Sequence, residues 1–160
     1  MRSLILQAAF ALVCLAGAPA AAAPETMFVT PSGVFIELAG PVVAGKAQPP
    51  VRIAVSQIIR IGLLERETVI DTTGFVQQKT SEPAETVARR LMAAGIRLIQ
   101  VTDALGQRNW VAANWVVMVR AAQAGHPVGT RASITLPGLR FARDVAVKET
   151  VDEVMAALAR

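Results

Sequence analysis

The chain carries its own pattern twice. Laying Val51–Gly62 over Asn109–Arg120 pairs Ile53 with Val111, Ala54 with Ala112, Ile58 with Val116, Ile59 with Val117 and Ile61 with Val119. The offset holds at ~58 residues along that stretch, as an internal duplication would require. Further on, Thr68–Gly74 falls on Ser133–Gly138, and Glu82–Val87 falls on Glu149–Val154, with the drift in offset absorbed by connections. A fold that fits this pattern must be one that a short β-rich segment with a helix behind it can make twice.

Upstream of the repeats, Arg2, the apolar run Leu4–Ala16 and the small residues Ala18, Ala20 and Ala22 have the three regions of a secretory signal peptide. Its apolar middle is too short for a mature membrane anchor. Cleavage is expected after Ala20 or Ala22, which assigns residues 1–22 to the leader. The chain's one cysteine, Cys14, falls inside that leader behind Val13, not behind the small residue that lipidated cysteines follow. The exported chain would then be cysteine-free, which suits a bacterial periplasm without requiring it. The formal net charge of +4 is carried mostly by arginine and is compatible with an anionic surface or with an ordinary solvated exterior.

The remainder divides into a first unit, 23–95, and a second, 96–160. In the first, Pro31-Ser32-Gly33 marks a turn between Phe28–Thr30 and the strand Val34–Leu38, and Ala39–Pro50 reads as a loop. Val51–Val55 alternates as a half-buried strand does, Ser56-Gln57 bends the chain, and Thr73-Gly74 punctuates a hairpin with its glycine where positive φ is wanted. Proline in a first turn places a helix from Glu82-Pro83 to about Ala94, with Ala84, Val87, Ala88, Leu91 and Met92 as its apolar stripe. In the second, strands are expected at Ile96–Thr102, at Asn109–Arg120 as one long strand or one bent at Asn114, at Thr130–Leu136 and at Arg140–Val147, with Pro137-Gly138 suited to a type II turn between the last two. Thr150 and Glu153 then form a capping box ahead of a final helix. The expected fold class is α+β: two tandem small units, each an antiparallel sheet of about four strands followed by one C-terminal helix.

The second unit resembles the FlbD-like family of short flagellar and swarming-motility proteins, and the first unit does so more loosely. The resemblance rests on Gly106, Asn114, Val116-Val117, Ser133–Gly138 and Val147–Val154. Members of that family are single-copy and cytoplasmic, whereas this chain looks exported and doubled. What the resemblance implies is the fold, since most of the matching positions are structural.

Candidate chemistry is sparse. His126 is the chain's one histidine, in the loop sequence Ala124-Gly125-His126-Pro127, and is expected to be solvent-exposed. Glu65 and Glu67 flank Arg66 in an expected surface turn, while Glu149, Asp152 and Glu153 sit at a helix start where negative charge is favoured. The glycines punctuate turns singly and form no phosphate-binding loop. No cofactor or metal site is expected, and neither is contact with nucleic acid.

Two sets of residues stand out. Overlaying the copies puts Trp110 in the place of Arg52 and Trp115 in the place of Gln57. The aromatics thus occupy positions that the other copy keeps polar, which marks an interface, either with the first unit or with an external partner. Arg131, Arg140 and Arg143 lie on two expected hairpin arms and form a candidate anion site, although Arg140 and Arg143 would face opposite ways on a regular strand. The sequence therefore points to an exported, non-enzymatic interaction or structural protein of the bacterial cell envelope. Its expected partner is another envelope protein, with no integral membrane span after signal cleavage. The alternative is a small binding protein for an anionic envelope polymer or lipid surface.

Overall fold

The computed structural model describes residues 27–160, and the expected leader at 1–22 lies outside the described residues. The chain opens with a hairpin of β1 (Met27–Thr30) and β2 (Gly33–Leu38), turning at Pro31-Ser32. The segment expected to be a plain loop folds into a small hairpin, β3 (Val42–Val43) with β4 (Lys46–Ala47). Next, β5 (Val51–Ala54) pairs antiparallel with β2, completing a three-stranded sheet β1-β2-β5. One 3-10 turn, Val55–Gln57, redirects the chain into β6 (Ile58–Leu64), followed by β7 (Glu67–Thr72), β8 (Gln77–Thr80) and helix α1 (Ala84–Ala93).

A similar order follows. Strands β9 (Leu98–Thr102) and β10 (Arg108–Ala112) pair antiparallel, and a second 3-10 turn, Ala113–Trp115, leads into β11 (Met118–Ala121). Then come β12 (Ala132–Thr135), β13 (Val145–Val147) and helix α2 (Val151–Leu158). The two 3-10 turns fall at equivalent places in the overlaid segments, so of the two readings of Asn109–Arg120 the strand bent at Asn114 is the one present.

The class is α+β, with antiparallel sheets and two helices among the described residues. The strands do not group as two separate four-stranded sheets, however. A five-stranded sheet runs β8-β7-β6-β10-β9, and its β6–β10 ladder, with Trp110 opposite Ile61 and Val111 opposite Arg60, joins residues from both expected units. A further three-stranded sheet is β11-β12-β13. Periodicity finds strands but not partners, so this cross-pairing was invisible in the sequence.

Two cores follow from the alternation of side chains. Ile36, Leu38, Ile61, Ile70, Val87, Leu91 and Trp110 form the first, under α1. Ile59, Ile99, Val101, Val111, Ile134, Val147 and Val154 form the second, with Val151 and Leu158 of α2 packed against it. Complete burial of Val87 and Leu91 contributes about 1.5–3 kcal/mol each to holding α1 in place. The expected stripe is right except at Met92, which is exposed, while Arg90 two residues before it is buried. Arg90 is accommodated because one guanidinium nitrogen reaches Glu82 Oε2 and the other donates to the Glu37 carbonyl, both at 2.7 Å, tying the helix to β2.

Two other expectations are corrected. The left-handed residue in the β7–β8 connection is Phe75 (φ 58), not Gly74, because Phe75 N–H closes on Thr72 C=O and Thr72 N–H on Val76 C=O. The strand expected over Arg140–Val147 pairs only at Val145–Val147. Gly138 (φ 77) turns the chain before it. A side chain there would lie 2.6 Å from the Thr72 carbonyl oxygen, so this connection packs on the β7–β8 turn instead of extending β13.

Candidate functional site

Trp110 reaches the interior because β10 alternates: Trp110 faces the first core, and its neighbour Val111 faces the second. It is only 7% exposed, whereas the Arg52 side chain, at the overlaid position, is 60% exposed. The difference has a structural cause. Trp110 projects from the sheet face that packs with Val87 and Leu91 of α1, whereas Arg52 lies over the Phe28 ring and bonds Glu37 at the surface.

The edge of the Trp110 indole, with Leu63 and Val42, gives an apolar wall to an open groove of about 550 Å³ between the β6–β7 turn and the first turn of α1. Arg66 and Arg108 line it together with Glu67, Glu82 and Glu85. Arg108 and Glu85 approach at 3.9 Å, but both are largely exposed, so their attraction is screened and adds little to stability. Glu82 is not free to receive a ligand: its Oε1 accepts from Ala39 N–H at 2.7 Å and its Oε2 is held by Arg90. The groove thus presents an apolar floor edged by fixed and movable charges of both signs.

Trp115 goes elsewhere. It is partly buried against the second core, and its Nε1–H donates to the Ser56 carbonyl at 3.2 Å, across the two 3-10 turns. The two indoles therefore serve different cores and do not form one surface. Trp110 in particular is an interior residue that meets the first half of the chain, with one edge on the groove.

The three arginines do not converge either. Arg131 precedes β12 and lies 3.7 Å from Glu153, while Arg140 and Arg143 belong to the connection beyond the other end of that strand. Arg140 stacks over the Phe141 ring at 5.1 Å. The anion site drawn on hairpin arms loses its geometry because those arms are not a hairpin at Arg140 and Arg143.

Two polar clusters escaped the sequence reading. On the face of the central sheet turned away from α1, Asp71 accepts from Arg60 Nε at 2.6 Å and Gln77 Nε2 at 2.9 Å, and Asn109 links Arg60 to Asp103. Asp71 and Asn109 are almost fully buried. Gly62 makes room for Asn109, since a Cβ at that position would overlap the amide oxygen. In the second cluster, Arg120 reaches Asp144 at 2.8 Å and Ser133 Oγ at 3.2 Å. His126 is partly buried there, not solvent-exposed as expected. Its Nδ1 accepts from Gln123 N–H at 2.9 Å, and its Nε2 faces Asp144 at 3.5 Å.

Burial raises the Asp144 carboxyl, but hydrogen bonds from Arg120 and Ser133, with the charge and hydrogen bond of His126, outweigh it and hold the pKa below the ordinary carboxylate value. Asp144 stands among Ser133, Arg120 and His126, and the serine hydroxyl has Arg120 and Asp144 as partners. These bonds join β11, β12, the loop carrying His126 and the connection carrying Asp144, so the cluster clasps the connections around β12. Partners drawn from separate loops leave no local sequence signal.

Among the described residues, no group of three or more His, Cys, Asp or Glu side chains is placed to hold a metal, and no helix is long and apolar enough to cross a membrane. No protein-family model, curated protein or solved structure matches the chain.

Proposed function

We propose that the chain is an exported, non-enzymatic interaction protein of the bacterial cell envelope, built from two related units and binding another envelope protein. Export rests on the leader pattern of residues 1–22. The two-unit reading rests on the recurrence, in the same order, of paired strands, a 3-10 turn, a three-strand run and a helix. That order in the second unit also suits the FlbD-like resemblance, which is carried as a likeness of fold.

The observation that carries the binding role is the groove beside Trp110. An apolar wall of Leu63, Val42 and indole, in a groove also lined by Arg66, Arg108, Glu67 and Glu85, suits a polypeptide segment with an apolar side chain and charges of both signs. Dispersal of Arg131, Arg140 and Arg143 leaves the anionic-polymer alternative without a comparable surface.

The test is a photo-crosslinking amino acid placed at Arg108 in cells, with Val128, which is fully exposed and outside the groove, as the control position. The reading expects one envelope protein joined at Arg108 and not at Val128, with the adduct lost on Glu85→Arg. Equal labelling from both positions, or recovery of the chain in the cytoplasm with its leader intact, would refute it.

A further inference from the structure

The turn between β7 and β8 holds an aromatic ring out in water at a cost to its own backbone. Phe75 is the left-handed residue there (φ 58) although Gly74 stands beside it, and it is 64% exposed. A bulky residue in that region of backbone space is uncommon, because its Cβ crowds the following carbonyl. The ring cannot settle onto the fold by a shift of the turn. Phe75 N–H closes on the Thr72 carbonyl, Thr72 N–H and Oγ1 both close on the Val76 carbonyl, and Thr73 N–H is held by the Gln57 carbonyl at 2.9 Å. Strain of this kind adds nothing to either core, and it points to a contact outside the fold.

A second exposed ring stands on the adjoining segment. Gly138 packs on Thr72 and Thr73, so the connection between β12 and β13 touches this turn. Further along that connection Phe141 is 74% exposed, within a run, Arg140–Arg143, that is exposed throughout. Val76 on the turn is exposed too, and so is Val117, whose N–H donates to the Thr135 carbonyl at the end of β12 from which the connection leaves. Apolar residues scattered singly over a surface are ordinary, but these gather on segments that touch.

The charges among them are of one sign. Arg140 stacks over Phe141 at 5.1 Å, and Arg143 ends the exposed run. The one acid in the connection is Asp144, which Arg120 holds and His126 faces, and the turn Thr73–Val76 has none. Arginine beside an aromatic ring is complementary to an anionic layer over hydrocarbon: the ring enters the headgroup boundary while the guanidinium stays among the phosphates. A polypeptide is met instead by apolar side chains among polar groups of both signs, which is how the groove beside Trp110 is lined.

We propose that this surface, the β7–β8 turn together with the Arg140–Arg143 run, rests on an anionic lipid bilayer with Phe75 and Phe141 at the headgroup level. Arg140 and Arg143 need not converge on one anion, because a lipid surface presents many. None of these residues lines the groove beside Trp110, so the contact goes beyond the polypeptide reading and stands or falls apart from it.

The test uses the full chain carrying Cys14→Ser, with an environment-sensitive fluorophore on Ala142→Cys or, as the control, on Val128→Cys. The leader is common to both, so any tethering it gives is shared. With vesicles of phosphatidylcholine and phosphatidylglycerol, emission from the probe at Ala142 is expected to rise and to be quenched by nitroxide lipid, while the probe at Val128 stays unchanged. Phosphatidylcholine alone should leave both unquenched. Arg140→Gln with Arg143→Gln should raise the lipid concentration at half-response by roughly tenfold or more, and added salt should act the same way. Phe75→Asn with Phe141→Ser should also raise it by roughly tenfold or more, without lowering the urea midpoint, since asparagine accepts a left-handed backbone. Equal responses from the two probes, or a response that needs the arginines and not the phenylalanines, would overturn the proposal. So would a silent probe at Ala142, and crosslinking of an envelope protein from that position in cells would then give the surface to a protein.

Discussion

Glu65 and Arg66 turn the chain between β6 and β7 with φ of 51° and 71°, and Leu64 pairs with Glu67 across them. A two-residue hairpin loop with both residues left-handed is the geometry that Asn-Gly sequences satisfy without strain. Side chains with a Cβ pay roughly 1–2 kcal/mol for each such residue. Glu65→Asn with Arg66→Gly is therefore expected to add about 1 kcal/mol of stability, read as a higher urea midpoint with an unchanged slope. Arg66 also lines the groove beside Trp110, so the same variant should bind the proposed partner less well, a combination that simple repair of a turn would not produce. The buried pair behaves in the opposite way. Removing Asp71 strands Arg60 Nε and Gln77 Nε2 inside the sheet, and Asp71→Ala should cost about 3 kcal/mol in denaturant unfolding. Arg60→Leu with Asp71→Leu should recover part of that loss, because no charge is then left without a partner.

The two helices are anchored by different means, and the difference decided how well each was read from sequence. α2 carries its anchor locally: Thr150 Oγ1 accepts from Glu153 N–H, and Glu153 returns the bond to Thr150 N–H. Thr150→Ala should cost about 1 kcal/mol, and the four-residue pattern announced it. α1 has no side-chain cap; Glu82, ahead of its first turn, instead holds Arg90 of the helix and the Ala39 N–H, more than forty residues of chain being looped between Ala39 and Glu82. No window of sequence contains that contact. Turns sort the same way. Pro31-Ser32, Gly106 and Gly138 behind Pro137 were legible because their conformation is set by their own residues, whereas Phe75 takes its left-handed conformation from hydrogen bonds to Thr72 and from Thr72 to Val76. The connections around β12 are clasped by Asp144, whose pKa lies below the ordinary 3.8. A depressed carboxylate contributes its stability above the unfolded pKa and loses it as pH falls through the folded one. Unfolding midpoints should therefore drop as pH is lowered from about 5 to below 3, and Asp144→Asn should remove part of that dependence.

At the scale of the molecule, the halves of the chain exchange residues. Trp110, from 96–160, belongs to the first core, and Ile59, from 23–95, belongs to the second. The five-stranded sheet crosses between them at β6–β10, and Gly138 rests on Thr72 and Thr73. A tandem pair of independent domains would unfold in two steps, because neither core would need the other. An exchange of this kind makes each core incomplete alone, so the chain should unfold in one. The two tryptophans allow a direct measurement. With Trp110→Phe, which keeps most of the ring's packing, Trp115 is the remaining indole and reports on the contact between the 3-10 turns. Its fluorescence and the backbone circular dichroism should then give coincident urea transitions, the criterion for a single cooperative unit. Trp110→Ala should shift both curves together, by about 3–5 kcal/mol, although Trp115 packs on the core that Trp110 does not touch. If Trp115 fluorescence held while the circular dichroism lost part of its amplitude, the second half would be standing without the first, and the joint built at β6–β10 would be only a contact between neighbours.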